Sequence, residues 1–356
     1  MKKIVVTGAG SAQSNGVINC LLDSGDDELV IGLGADPTEL VMSRAHKKIL
    51  MPYASDPLYK ATLLNVLKNE KVDMIHFQHD AELAIALRFR DEIEALGVKM
   101  LIPDYETIDT CVHKFKSWKK FKAAGIKVPE NLLINNQSDL KNAFEKLGNE
   151  SGTIWLRAMS IGGGGKGALP TNNFDEAVEW IEACNGWGDF IAAELLEKQT
   201  VTWLSIWKDG ELIVAQGRKR NGWAHSALSP SGVTGVTKIG ETYHDPLVDD
   251  IGIASVKAVS ETPHGIYGVD MAYDKNGVPN PTEINISRFF TTVEFFSKAG
   301  LNMPKILKDL VLYNKKPDIE KVLNPLQDGL LWLRSMDREP MLTTREEIEN
   351  ELIKVW

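Results

Sequence analysis

The chain has 356 residues, of which 43% are hydrophobic and 25% charged, a composition typical of a globular protein with more than one domain. Its net charge of −9 argues against an extended nucleic-acid surface, because phosphate backbones are bound by clustered Lys and Arg. Cys20, Cys111 and Cys184 show no paired spacing, which argues against disulfides or a cysteine zinc site and favours a cytoplasmic location. No apolar stretch is long enough to predict a membrane span.

The N-terminal third alternates short apolar runs with helical segments. Ile4–Val6 ends in Gly8-Ala9-Gly10 and precedes a helix expected from Asn15 to about Asp23, which begins a strand-helix-strand unit. The alternation continues with strands Glu28–Gly32, Met74–Phe77 and Lys99–Ile102 and a helix Asp80–Leu96. Residues 1–112 therefore predict a doubly wound α/β domain. Gln13 stands at the third glycine position of a dinucleotide fingerprint, so NAD binding is disfavoured.

The pattern changes near Lys114, where an amphipathic helix runs to Gly125. Extended segments then follow at Thr153–Arg157, Phe190–Leu195, Thr200–Lys208, Glu211–Arg218, Tyr267–Tyr273 and Pro281–Ile286. Turn residues at 208–210 and 274–277 predict hairpins between neighbouring segments. This part of the chain predicts antiparallel sheet with flanking helices, an α+β arrangement. The tail predicts a strand at Leu330–Leu333 and a closing helix at Thr343–Lys354, capped by Thr343 or Thr344.

Three polar side chains on one predicted hairpin give the most specific chemical signal. Alternation along the strands directs Asp270, Glu283 and Asn285 toward one face. Two carboxylates and an amide oxygen form a hard oxygen site suited to Mg²⁺. The alternative is an acidic, solvated hairpin face without a metal.

A glycine run follows the strand that contains Arg157. Its members are Gly162, Gly163, Gly164 and Gly165. Consecutive glycines allow backbone amides to approach phosphate oxygens, so the run predicts a phosphate loop, with a flexible hairpin tip as the alternative. A Walker loop is excluded because Gly167 follows Lys166. Lys114 and Arg157 are candidate phosphate contacts, although a strand arginine can also serve in a surface ion pair.

Two further segments are candidates for ligand contact. Glu194, Leu195 and Leu196 end an apolar strand, where backbone groups can meet an adenine edge while leucine side chains cover the ring. Arg218 or Arg220 is a candidate for holding a substrate carboxylate or the transferred phosphate, because guanidinium groups bind such anions in bidentate fashion. The alternative for this basic run is a solvated charged face.

In this order, the segments resemble the ATP-grasp superfamily, in the branch similar to biotin carboxylase and the large subunit of carbamoyl-phosphate synthase. The resemblance covers nearly the whole chain and includes Val72–His76 and Asp80–Leu83. It implies a pre-ATP-grasp domain at 1–112, a small subdomain with the glycine lid at 113–198, a large subdomain with the metal site at 199–315, and a completing tail at 316–356. A homodimer through the N-terminal domain is common in this family.

The resemblance also implies roles for individual residues. Lys114 and Arg157 would contact nucleotide phosphates beneath the lid of Gly162–Gly165, and Glu194–Leu196 would form the adenine hinge. Asp270, Glu283 and Asn285 would be the metal ligands. Arg288 lies near the family's arginine that steadies the reacting phosphate, but Ser287 occupies that arginine's usual position. The family's ribose-binding glutamate is absent, and either Glu197 or Gln199 is a substitute.

These features together predict an ATP- and Mg²⁺-dependent carboxylate-amine ligase, with Mn²⁺ as an alternative metal. A small carboxylate, oriented by Arg218 or Arg288, would attack ATP to give an acyl phosphate, and an amine or similar nucleophile would displace phosphate. Neither a nucleic acid nor a membrane is expected as a partner. The alternatives are a bicarbonate-using enzyme similar to carbamoyl-phosphate synthase or a carboxylase, and an ATP-binding regulatory module without turnover.

Overall fold

A computed structural model describes residues 1–159, 167–224, 236–335 and 339–351. Within these ranges the chain forms one parallel and two antiparallel sheets. None of the described helices combines the length and apolar composition needed to span a bilayer. The architecture agrees with the expected combination of α/β and α+β layers, while the proposed division after residues 112, 198 and 315 stays a prediction.

The N-terminal region is built on a parallel sheet of four strands in the order β3-β2-β1-β4. The strands are β1 (Lys3–Val6), β2 (Leu29–Gly34), β3 (Lys47–Leu50) and β4 (Met74–His76). The helices are α1 (Ala12–Leu22), α2 (Pro37–Leu40), α3 (Tyr59–Glu70), α4 (Asp80–Ala86), α5 (Arg90–Ala95) and α6 (Tyr105–Val112). The central strand is buried because Ile4, Val5 and Val6 are all apolar.

Two expectations for this region were wrong. The expected helix from Asp80 to Leu96 is interrupted by a 3₁₀ turn at Leu87–Phe89, where Phe89 leaves the helical conformation and is buried. The expected strand Lys99–Ile102 is reduced to a single bridge between Lys99 and Met74. Pro103 follows closely and has no N–H to donate, so the pairing does not continue.

The second region contains a small antiparallel sheet in the order β5-β8-β6-β7. Its elements are α7 (Lys114–Ala123), β5 (Asn131–Ile134), α8 (Gln137–Leu147), β6 (Ile154–Ala158), β7 (Ala168–Thr171), α9 (Phe174–Ala183) and β8 (Phe190–Glu194). One face of β6 packs Ile154, Leu156 and Ala158 against α8 and α9. The opposite face therefore presents Trp155 and Arg157.

The third region contains a seven-stranded antiparallel sheet in the order β13-β12-β9-β10-β11-β14-β15. Its strands are β9 (Thr200–Lys208), β10 (Glu211–Trp223), β11 (Thr237–Tyr243), β12 (Gly265–Tyr273), β13 (Pro279–Ile286), β14 (Leu331–Leu333) and β15 (Met341–Thr343). Its helices are α10 (Pro246–Val259), α11 (Val293–Lys298), α12 (Met303–Tyr313) and α13 (Arg345–Glu351).

The expected hairpins and the closing helix are present. Asp209 and Gly210 both have positive φ, 51° and 84°, as a tight turn between twisted strands requires. The Thr344 hydroxyl accepts a hydrogen bond from the Glu347 N–H at 3.2 Å, and Glu347 accepts one from the Thr344 N–H at 2.9 Å. This reciprocal capping box starts α13, whereas Thr343 belongs to β15.

The parallel sheet docks onto the segment that follows β13 through two buried side chains at the end of β4. His76 Nε2 lies 2.7 Å from Gln78 Oε1, and the His76 ring is 5.5 Å from that of Phe289. Burial lowers the pKa of His76 to about 4, although the hydrogen bond to Gln78 opposes the shift. His76 is therefore neutral in the folded chain at neutral pH.

We expect His76 to make stability fall with decreasing pH. Below about pH 6.5 the unfolded chain protonates this residue but the folded chain does not, so by pH 5 about 2 kcal/mol of unfolding free energy is lost. His76→Gln, which keeps a neutral donor, lacks this loss. Urea titrations at pH 7.5 and 5 measure the difference. Equal losses in the wild type and the variant would contradict the neutral assignment.

Candidate active site

A row of polar side chains crosses five strands of the large sheet. In the strand register, Asp270 lies opposite both Glu283 and Thr202, Thr202 lies opposite Arg218, and Arg218 lies opposite Thr242. Directly opposed residues on antiparallel strands point to the same face. The sheet therefore gathers these residues, which are distant in sequence, into one line on one surface.

Each carboxylate in this row is paired with an arginine. Glu283 forms an ion pair with Arg157, which the small sheet provides. Asp270 forms one with Arg220 at 2.7 Å and accepts a hydrogen bond from the Thr202 hydroxyl at 2.6 Å. Arg157 therefore forms an ion pair, as the alternative interpretation of this strand arginine expected. Its partner, Glu283, is one of the predicted metal ligands.

Positive charge dominates the surroundings of Glu283. Burial alone raises the pKa of this carboxyl, but Arg157, Lys114 and other cations outweigh it and lower the pKa to about 2. Lys114, at the start of α7, is half-buried. Its burial and the nearby Arg157 charge lower its pKa, against the opposing effect of Glu283. An anion bound beside Lys114 would raise this pKa again, because it would stabilise the charged ammonium group.

Asn285 connects Asp270 with Arg288. Its amide donates to Asp270 Oδ2 at 3.1 Å, and its Oδ1 accepts a hydrogen bond from Arg288. Arg288 also forms an ion pair with Asp80 of α4 at 2.7 Å. Ser287, which precedes Arg288, adopts a positive φ of 56°, a conformation that is uncommon for a residue other than glycine.

Arg218 differs from its neighbours because it has no carboxylate partner among the described residues. It is 1% exposed and donates to the hydroxyls of Thr292 at 2.5 Å and Thr202 at 2.9 Å. Its guanidinium lies 4.2 Å from the centre of the Phe290 ring. Burial, followed by the charge of Arg220, lowers the pKa of Arg218. These features exclude the solvated charged face that was the alternative for this run.

The predicted metal ligands fit a divalent cation by their chemistry. Asp270 and Glu283 carry like charges on directly opposed positions, and a cation between them would relieve their repulsion in addition to the two arginines. The Asn285 amide lies beside them and faces Asp270 with its nitrogen, so its oxygen serves as a metal ligand only after the amide turns over. In the described ranges no group of three or more His, Cys, Asp or Glu side chains is placed to hold a metal. Asp270, Glu283 and Asn285 would hold such a hard cation and would leave room for phosphate oxygens and water as its other ligands.

The predicted adenine segment joins the two antiparallel sheets. Glu194 is exposed and ends β8, where its carboxylate accepts a hydrogen bond from the Glu130 N–H at 3.0 Å. Beyond Leu195 and Leu196, the Glu197 N–H donates to the Tyr273 carbonyl at 2.8 Å, and the Tyr273 N–H donates to the Gln199 carbonyl. Both ribose candidates thus lie beside β12, and the choice between them stays open.

The glycine run Gly162–Gly165 lies outside the described residues, so its predicted role as a lid stays a prediction. The sequence did not identify several residues that the structure adds to the site: Asp80, Thr202, Thr292 and Arg334. Arg334 acts on Arg218 through its charge. Strand alternation could have indicated Thr202. Thr292 and Arg334 follow no pattern in the sequence.

No family model matches the chain, and no curated protein matches it. Solved structures with a similar fold include carboxyaminoimidazole ribonucleotide synthase from Aspergillus clavatus, complexed with ATP (13% identity, 93% of this chain and 81% of that chain covered, TM-score 0.69). L-amino acid ligase from Bacillus licheniformis is 12% identical, with 93% and 79% covered and a TM-score of 0.67. Biotin carboxylase from Campylobacter jejuni is 15% identical, with 94% and 75% covered and a TM-score of 0.69. These likenesses confirm the ATP-grasp fold expected from the sequence.

Proposed function

We propose that the chain is an ATP-dependent carboxylate-amine ligase that works through an acyl phosphate. The observation that supports this most is an excess of positive charge at one place in an otherwise acidic chain. Six cations, Lys114, Arg157, Arg218, Arg220, Arg288 and Arg334, lie together with four carboxylates, Asp80, Asp189, Asp270 and Glu283. Such a surplus favours a polyanion, and the fold is one found with bound ATP.

In this proposal Lys114 and Arg157 bind the nucleotide phosphates, and the segment Glu194–Leu196 meets the adenine. Mg²⁺, held by Asp270, Glu283 and Asn285, would neutralise phosphate charge when bound. Phosphoryl transfer depends mainly on positioning and on the stabilisation of charge, so no protein nucleophile is required. The ion pairs Arg157–Glu283 and Arg220–Asp270 hold both sets of side chains in place before the nucleotide arrives.

Arg218 is the better candidate for the substrate carboxylate, since Arg220 is already paired with Asp270. A carboxylate oxygen of the substrate attacks the γ-phosphorus, forming a C–O–P bond, while the bond from that phosphorus to the β–γ bridging oxygen breaks and ADP leaves. The amine then attacks the acyl carbon, loses a proton and releases inorganic phosphate. In this proposal Arg288, which contacts Asn285 and Asp80, steadies the transferred phosphate. A lid over the intermediate, the homodimer, the cytoplasmic location and use of Mn²⁺ stay predictions.

The direct experiment is a screen for ADP release. The protein is incubated with ATP, Mg²⁺ and pairs drawn from amino acids, small carboxylates and bicarbonate, and the products are identified by mass. We expect a carboxylate to stimulate ADP release and an amide to form. Stimulation by bicarbonate alone would favour the carboxylase-like alternative. Tight ATP binding without ADP release for any pair would favour a regulatory module.

Glu283→Gln should leave the fold intact and reduce ADP formation by at least about a hundredfold, because it removes one anionic oxygen from the metal set. The matched control is Glu241→Gln on the same sheet, whose carboxylate contacts Asn221 and Arg345. Thermal midpoints verify folding and steady-state rates measure turnover. Unchanged turnover in Glu283→Gln would refute the metal assignment.

Arg218→Met, which preserves length without charge, should raise the KM of the carboxylate substrate about tenfold or more and change that of ATP little, because a charged hydrogen-bonding partner is lost. Lys219→Met is the control, since Lys219 lies on the same strand and packs on the Tyr243 ring. Separate titrations of ATP and the carboxylate give both constants. Equal weakening of the two substrates would contradict the role of Arg218.

A further inference from the structure

Gln78 is a fully buried amide whose hydrogen-bonding groups are all used. Its Oε1 accepts from the Phe289 N–H at 3.1 Å, and its Nε2 donates to the Phe289 carbonyl at 2.7 Å. The same Nε2 donates to the Gln13 carbonyl at 3.1 Å, and His76 Nε2 lies 2.7 Å from Oε1. The two hydrogen bonds to the backbone of Phe289 fix both the position and the orientation of that backbone.

The backbone that Gln78 holds belongs to neither a strand nor a helix. β13 ends at Ile286 and α11 begins at Val293, so the six intervening residues are not fixed by a continuous ladder of hydrogen bonds. Ser287 within this segment has a positive φ of 56°, a conformation that persists only where the surroundings enforce it. The Ser287 N–H is held by the Ile266 carbonyl of β12 at 2.8 Å, and Gln78 holds the segment two residues further on, at Phe289.

The residues on either side of Phe289 both belong to the candidate site. Arg288 contacts Asn285 and pairs with Asp80, and the Phe290 ring lies against the guanidinium of Arg218. A shift of the Phe289 backbone would therefore move a cation and an aromatic platform at once. Lys114 and Arg157 lie on other elements, α7 and β6, and would stay in place.

We infer that Gln78 is a positioning residue, which aligns Arg288 and the platform beneath Arg218 for the transferred phosphate and the substrate carboxylate without touching either. This inference rests on the proposed function. It predicts that a Gln78 variant changes anion binding and nucleotide binding differently, which a general loss of stability would not do. Anion binding at the reacting end weakens, whereas nucleotide binding is retained.

The test compares Gln78→Met, which keeps the length but cannot hydrogen-bond, with Asn19→Leu as a matched control. Asn19 also bridges the N-terminal region to α11, through a 3.2 Å bond to Glu294, but does not contact residues 287–290 in any described hydrogen bond. Three quantities are measured: hydrogen exchange of a peptide covering 287–290, the Kd of MgADP, and the Kd of inorganic phosphate for the MgADP-loaded protein.

We expect Gln78→Met to speed exchange of that peptide and weaken phosphate binding, each about tenfold, and to change the Kd of MgADP less than about threefold, with the control unchanged in all three. Unchanged phosphate binding in a folded variant would overturn the inference. If Gln78→Met does not fold, Gln78→Glu is used, because it retains the acceptor and loses the donor. If the wild type binds MgADP but no phosphate, the proposed function is contradicted. In that case the hydrogen exchange of the 287–290 peptide alone tests whether Gln78 positions this segment.

Discussion

The electrostatic pairing of Asp270 and Glu283 with arginines is the interaction on which the candidate site depends. The two carboxylates lie directly opposite each other on β12 and β13, where like charges repel. Arg220 compensates one carboxylate from the same sheet, and Arg157 compensates the other from the small sheet. The same ion pairs therefore stabilise the sheet and bring the two antiparallel regions together.

The N-terminal sheet contributes to this arrangement from its carboxyl end. Gln78 follows β4, and Asp80 begins α4. The first holds the backbone of Phe289, and the second pairs with Arg288. Ligands of open α/β sheets bind outside the carboxyl ends of the strands. In this chain that edge also supports the segment after β13, so the parallel sheet and the large antiparallel sheet share one site.

The sequence predicted the parts of this structure that local rules determine. Turn residues between apolar runs identified the hairpins β9–β10 and β12–β13, and with them the common face of Asp270, Glu283 and Asn285. The edge strand β3 was missed because Lys47, Lys48 and Leu50 are exposed and give no alternating pattern. The pairing of Arg157 with Glu283 joins residues 126 positions apart, and no local pattern encodes such a contact. The absence of a carboxylate partner for Arg218 among the described residues likewise depends on tertiary packing.

In the proposed mechanism a substrate carboxylate attacks ATP at this site. Positional isotope exchange tests this step without the amine. ATP labelled with ¹⁸O at the β–γ bridge is incubated with the protein, Mg²⁺ and a carboxylate that stimulates ADP release. Reversible formation of an acyl phosphate predicts that the label moves from the bridging to the non-bridging positions of the β-phosphate only when the carboxylate is present. The contrary result would be that the carboxylate stimulates ADP release when an amine is present, but no label moves when the amine is omitted. That result would contradict an acyl phosphate that forms reversibly before the amine reacts.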